Sequence, residues 1–182
     1  GVDGLCFYHY WFKDGRQILE KPAENLLKWQ DIHMPFCFCW ANETWARTWS
    51  KISNKNVWTN TFEQVTSQSD NGILLEQKYG DEKEWKKHFE YLLPFFKDNR
   101  YIKISNKPIF VIYKTSLINC FEEMAIKWNQ WAYESGFDGI CFIGANTNIF
   151  SEKELDYVLY HEPQLTISKL WEQQKEKKKP FV

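Results

Sequence analysis

Short unbroken apolar runs alternate along the chain with longer stretches in which apolar residues recur every three or four positions. The first pattern predicts strands buried on both faces and the second predicts helices laid over them, together the signature of βα units around a parallel sheet. Strands are expected from Leu5 to Trp11, Pro35 to Ala41, Pro108 to Tyr113, Gly139 to Ala145 and Asp156 to Tyr160, with a shorter sixth from Ile73 to Glu76. Helices are expected from Pro22 to Gln30, Glu82 to Lys97 and Asn119 to Ser135. The second gathers Trp85, Phe89, Leu92, Leu93 and Phe96 on one stripe, with Asp81 before its start and Lys97 in its last turn, as a helix dipole favours. Pro94 falls late in that stripe and should kink or end it. Residues 50–72, rich in Asn, Ser and Thr, form a long excursion, and loops of that length inside compact domains usually carry function. The stretch from Glu172 to Lys179 reads as a solvated charge run.

One internal echo bears on domain organisation. Gly1 to Phe7 (GVDGLCF) matches Gly136 to Phe142 (GFDGICF), and Gly136 follows a well-marked helix as its C-cap. If the copies are equivalent, Gly1 is also a helix C-cap and the chain starts in mid-fold. Five or six strands also fall short of the eight that close a (β/α)8 barrel of ~250 residues. The expected fold is therefore α/β: a partial TIM-type barrel, one domain over residues 1–182, incomplete at both ends. A doubly wound open sheet is the alternative.

Composition narrows the partners. The 23 Lys+Arg nearly balance the 24 Asp+Glu, for a net charge of −1, which excludes a basic nucleic-acid-binding arm or a polybasic membrane patch as the main business. No apolar run approaches the ~20 residues a membrane span needs. Aromatics are abundant at 18%, with 14 Phe, 10 Trp and 9 Tyr. Rings outside the core would suit ligands that are part apolar and part hydroxylated, as sugars are; an aromatic-rich core carries equal weight for any one ring. Of the five cysteines, Cys6, Cys37, Cys39 and Cys141 lie in strand-like runs, where a thiol acts as a small buried hydrophobe, and Cys120 lies outside them. This inventory favours a reducing, cytoplasmic setting. His9, His33, His88 and His161 lie far apart and outside any HExxH motif, no glycine-rich phosphate loop or G-x-S-x-G elbow occurs, and neither metal nor organic cofactor is expected.

Parallel α/β folds concentrate chemistry at the carboxyl ends of their strands. Those ends read His9-Tyr10-Trp11, Asn42-Glu43-Thr44-Trp45-Ala46-Arg47, Tyr113-Lys114, Asn146-Thr147-Asn148 and His161-Glu162. Glu43, bracketed by Trp40 and Trp45, is the leading candidate, because desolvation raises a carboxyl toward general-acid duty; a network in which Arg47 pairs with it and holds the loop is the structural alternative. Glu162 is a second carboxyl that a barrel would place across the same mouth. Cleavage of a glycosidic bond needs two such groups, ~5–5.5 Å apart for retention or ~6.5–9.5 Å for inversion. Glu76 is a third, for which an ion pair with Lys78 is the plainer reading. His9 is either a satisfied structural histidine or a ligand contact. The candidate catalytic pair is thus Glu43 and Glu162, with His9, Tyr10, Trp40, Asn42, Trp45, Arg47, Glu76, Tyr113 and Asn146 as substrate contacts.

Several long motifs in one order give these residues a family likeness: Gly4 to Phe12 (GLCFYHYWF), Glu20-Lys21-Pro22, Pro35 to Glu43 (PFCFCWANE) with Trp45, Arg47 and Trp49, Glu76 to Gly80 (EQKYG), and Tyr91 to Asp98 (YLLPFFKD) leading through Arg100-Tyr101-Ile102 to Lys107-Pro108. The chain resembles the WbsX-like family of bacterial surface-polysaccharide proteins, which is similar to glycoside hydrolase family 99 and its endo-α-mannosidases. The resemblance implies a (β/α)8 barrel and an endo-mannosidase-like, retaining enzyme acting on oligosaccharide or polysaccharide in lipopolysaccharide or O-antigen assembly or trimming. It also implies a mechanism in which one carboxylate helps the sugar's own 2-hydroxyl displace the leaving group while another carboxyl serves as acid, without a cofactor; transfer to another sugar in place of water is the alternative outcome that the family's glycosyltransferase label suggests. The chain departs from the family in lacking its earlier aromatic and His-bearing strand and its late Asn-Glu-Trp glutamate pair, and in Thr48 where a second basic residue is expected. A non-catalytic, sugar-binding fragment of a truncated barrel is the alternative.

Overall fold

A computed structural model describes residues 1–46, 73–145 and 154–160. In chain order the elements are β1 (Leu5–His9), α1 (Lys21–Lys28), β2 (Phe36–Trp40), β3 (Trp45–Ala46), β4 (Ile73–Leu75), α2 (Glu82–Lys97), β5 (Lys103–Ile104), β6 (Lys107–Ile112), α3 (Phe121–Glu134), β7 (Cys141–Ala145) and β8 (Tyr157–Leu159). Strands β1, β2, β6, β7 and β8 form one parallel sheet in that order. Leu5 pairs with Phe36, Phe38 with Phe110, Phe110 with Phe142 and Ile143 with Tyr157. The order follows the chain without reversal, so the described strands contain no switch point of a doubly wound sheet.

Two short pieces depart from that rhythm. The strand expected from Ile73 to Glu76 pairs antiparallel with β3 and stands off the main sheet; of its three residues only Leu75 is buried, too little for a strand covered on both faces. β5 folds back on β6 through Ser105 and Asn106, both at positive φ (48° and 58°), the backbone that a two-residue type I′ hairpin turn demands.

The helices form as the spacing predicts, and their ends explain their bounds. Asp81 caps α2 by accepting from the backbone N–H groups of Lys83 and Glu84. That helix runs past Pro94 to Lys97 rather than ending there; Pro94 is exposed, so the Glu90 carbonyl it leaves without a partner lies toward water. α3 ends in a Schellman turn, with Phe137 N–H to Ala132 O (3.0 Å) and Gly136 N–H to Tyr133 O (3.1 Å), and Gly136 takes the positive φ (94°) this closure needs. Arg100 closes α1 by donating to the carbonyls of Leu26 (2.9 Å) and Trp29 (2.8 Å), and it also reaches Ile32 O (2.8 Å) and the Asp98 carboxylate (2.7 Å). The Arg100 hydrogen bonds hold Asp98 below the usual carboxylate range.

All three helices pack on one face of the sheet. There Phe36, Phe38, Trp40, Phe110, Ile112 and Phe142 meet Leu26 of α1, Phe89, Leu92 and Phe96 of α2, and Met124, Trp128 and Trp131 of α3. The opposite face carries a smaller cluster of Cys39, Val111 and Ala145 with Tyr113, Ile143 and Leu159, and among the described residues no helix residue joins it. Cys37, Cys39 and Cys141 are buried as expected for small hydrophobes, whereas Cys6 is exposed; β1 lies at an edge of the described sheet, so its outward-leaning side chains lack a neighbouring strand. No helix among the described residues is long and apolar enough to cross a membrane.

Candidate glycan site at the strand ends

The carboxyl ends of β1, β2 and β6 lie side by side, and side-chain alternation divides their residues between the two faces. His9 and Trp40 share the parity of Phe7 and Phe38 and turn toward the helices. His9 is 5% exposed, and its Nε2 meets Nε2 of His88 on α2 at 2.7 Å, one ring donating and the other accepting. Tyr91 and Trp11 flank it. Burial pushes His9 down to about 3, and burial together with His9 pushes His88 well below its ordinary value. Trp40 is buried against His88 and Tyr79, its indole N–H donating to Trp11 O at 3.3 Å. Both are core residues at the rim of the sheet.

The other parity builds a different surface. Trp45, Tyr10, Tyr8 and Tyr113 form a continuous row of rings, with successive centroids 5.3, 6.4 and 6.3 Å apart. Partial burial raises the hydroxyls of Tyr8 and Tyr10 above the ordinary phenol value. From the ends of β2 and β6, Glu43 Oε1 meets Lys114 Nζ at 2.7 Å, with side-chain exposures of 24% and 48%. Asn42 lies beneath the pair at 0% exposure. Its amide Oδ1 accepts from Lys114 N–H (2.9 Å), and its Nδ2 donates to Lys114 O (2.8 Å) and to the Tyr79 hydroxyl (3.2 Å). The Tyr79 hydroxyl in turn donates to Asn42 O (2.9 Å), and burial pushes it up to about 12. Glu76 stands apart in ion pairs with Lys13 (3.6 Å) and Lys78 (3.5 Å). Arg47, Asn146 and Glu162, and with Arg47 the suggested Arg47–Glu43 pairing, lie outside the described residues.

The chain matches the family model described as Glycosyltransferase WbsX over residues 1–181. It belongs to that family. Two curated relatives, both called uncharacterized protein WxcX, come from Xanthomonas campestris pv. campestris strains B100 and ATCC 33913. Each is 25% identical over 140 residues, which cover 77% of this chain and 17% of the relative. The chain thus spans less than a fifth of the length of these relatives. No solved structure matches it.

Within this WbsX-family chain, three of the residues expected at the strand ends, Tyr10, Trp45 and Tyr113, share one row of rings, and strand-end reasoning reaches them because the ends of β1, β2 and β6 are neighbours in the sheet. It missed Tyr8, the Tyr79 support, and Lys114 as the partner of Glu43. Tyr8 was readable from alternation: big rings at Phe36, Phe38 and Trp40 against thiols at Cys37 and Cys39 mark the two faces of β2. Lys114 and Tyr79 carry no such signal, because their partners lie in distant segments. Among the described residues, no three His, Cys, Asp or Glu side chains are grouped to hold a metal ion.

Proposed function

We propose that this chain is the glycan-binding region of a carbohydrate-active enzyme that builds or trims bacterial surface polysaccharide, such as lipopolysaccharide or O-antigen, in the cytoplasm. The observation that carries this reading is that the carboxyl ends of adjacent parallel strands supply both a row of rings, Trp45, Tyr10, Tyr8 and Tyr113, and the Glu43–Lys114 pair. Aromatic faces take up the apolar C–H surfaces of a sugar, and charged groups beside them take its hydroxyls. Membership in a glycosyltransferase family supports the ligand class. The chain-ordered parallel strands, helices on a single face and small residues on the other favour part of a (β/α)8 barrel as the scaffold. In this reading the bond-cleaving or bond-forming step is endo-mannosidase-like, with Glu43 and Glu162 as the acting carboxyls and Arg47 and Asn146 as further contacts.

Full-length protein incubated with mannose-containing oligosaccharides, with products followed by mass spectrometry, tests it. Loss of a general acid–base group lowers turnover about 10²–10⁴-fold, and that is the expectation for Glu43→Gln and Glu162→Gln. Unchanged turnover in Glu43→Gln removes Glu43 from the chemistry. A second reading, a sugar-binding wall without catalysis of its own, is favoured by the same ion pair, because an acceptor and a donor fixed side by side bind hydroxyls without any proton transfer. Glycan binding without turnover in the full-length protein would select it.

A further inference from the structure

The ends of β2 and β6 are tied together beyond the point where their backbones pair. The last main-chain bond is Tyr113 N–H to Trp40 O (3.0 Å), and the next rung is made by a side chain: the Asn42 amide faces Lys114 as a peptide group would, accepting from its N–H and donating to its carbonyl. Tyr79 closes the far side through its hydroxyl. Both heteroatoms of the buried Asn42 amide are thereby used, so the backbone atoms that carry Glu43 and Lys114 are fixed to each other. Above this buried support, the two charged side chains reach out partly exposed and meet at 2.7 Å. A partly exposed ion pair contributes little to stability, which leaves the purpose of so complete a support to be found in what the pair holds.

We propose that Glu43 and Lys114 form a clamp for two adjacent hydroxyls of a neutral sugar, and that Asn42 and Tyr79 are the positioning residues that set its spacing. This rests on the carbohydrate reading of the same site. An ammonium has three N–H donors and a carboxylate two acceptor oxygens, so their mutual bond leaves capacity on both. Neighbouring hydroxyls held gauche on a pyranose ring stand about one hydrogen-bond length apart, which matches the separation of the pair. One hydroxyl donates to the Glu43 carboxylate while the other accepts from the Lys114 ammonium. Both bonds are charge-assisted, and the pair as a whole adds no net charge, so it selects hydroxyls over the carboxylate or phosphate of an acidic sugar.

The test titrates full-length protein by NMR with methyl pyranosides of the manno, gluco and galacto series, each against its per-O-methylated counterpart, which keeps the ring but cannot donate. The expected result is that the best free pyranoside binds about tenfold or more tightly than its methylated form, in line with the strength of charge-assisted bonds. Glu43→Gln and Lys114→Met should each collapse that ratio, and Tyr79→Phe, which removes one hydroxyl and keeps the ring, should reduce it severalfold while leaving affinity for the methylated probe unchanged. A loss of fold would weaken both probes equally and so would not imitate this outcome. Sugar binding whose free-to-methylated ratio survives Glu43→Gln and Lys114→Met overturns the clamp and leaves the carbohydrate reading standing. Absence of binding by any of the free pyranosides to the unsubstituted protein overturns both.

Discussion

The two faces of the sheet share five strands and differ in almost everything else. Toward the helices, β2 alone contributes Phe36, Phe38 and Trp40, and rings interlock across the layer, as in Phe38–Phe95 (5.0 Å) and Phe110–Trp128 (5.1 Å). On the other side the same strand contributes Cys39 and the neighbouring strands Val111 and Ala145, and the rings of Tyr8 and Tyr113 meet near the carboxyl ends. Large flat side chains need a second layer to leave water, and α1, α2 and α3 supply it on one side alone. The contrast teaches that one alternating sequence can assign the packed core to one parity and leave smaller residues and half-exposed rings to the other.

The largest expected effect comes from cutting into the covered face. Phe110 is fully buried among Trp128, Phe96, Trp40 and His88, and Phe110→Ala is expected to destabilise by about 3–5 kcal/mol. Urea unfolding should show a lower midpoint at an unchanged slope. A loss under about 1 kcal/mol would mean that the covered face is not a packed core.

Acid should strike the same face next. His9 is held neutral in the fold, with its value lowered from 6.5 to about 3 by burial. A base whose folded value is lowered takes up its proton in the unfolded chain first, so stability is full above about pH 6.5 and is lost as pH falls toward 3. For His9 alone the loss between pH 7 and pH 4 is on the order of 3 kcal/mol, and His88 adds in the same direction. Unfolding midpoints measured across that range should fall steeply. His88→Gln, which removes one of the two buried rings that must charge on unfolding, should flatten that slope, and a slope unaffected by that change would show that other groups carry the acid sensitivity.

A smaller effect is expected at the amino end of the sheet. Arg100 reaches three main-chain carbonyls around the end of α1 while pairing with Asp98. Lysine cannot reproduce that fork, and Arg100→Lys should cost about 1–3 kcal/mol through carbonyls left unpaired. Hydrogen exchange should quicken in α1 before it quickens in α3; equal change in both would mean that Arg100 does not act through α1.

These contrasts also mark what the sequence makes legible. The strands β1, β2, β6 and β7 and all three helices stand out because a buried strand must be apolar throughout and a one-sided helix must repeat near 3.6. Strand β4 misleads because three apolar residues fit a two-stranded ribbon as well as a parallel sheet. At the site, position is legible and facing is not: Tyr8, His9 and Tyr10 are consecutive, and only the side on which the helices lie decides that His9 is packed inward while its neighbours look out. Pairing over distance is not legible at all. Nothing local in the sequence joins His9 to His88, or Glu43 to Lys114.

The smallest expected effect on stability is also the one that separates the two faces most cleanly. Tyr8 sits one residue from His9 on the same strand, yet it is 52% exposed and among the described rings touches Tyr10 and Tyr113 alone. Its ring is therefore not part of the packed layer, and Tyr8→Ala should cost about 1 kcal/mol or less, against several for Phe110→Ala. If the uncovered face receives a sugar, removal of one stacking ring should weaken the best-bound pyranoside about tenfold, equivalent to about 1.4 kcal/mol. Tyr8→Phe, which keeps the ring and loses the hydroxyl, should recover most of that affinity. The pair of measurements works in opposite directions for the two roles. A structural tyrosine would lose stability and, with it, affinity in proportion; a ligand-facing one loses affinity at nearly constant stability. Tyr8→Ala that unfolds as easily as Phe110→Ala would erase the distinction between the faces, and Tyr8→Ala that binds sugar undiminished would move the ligand off this row of rings.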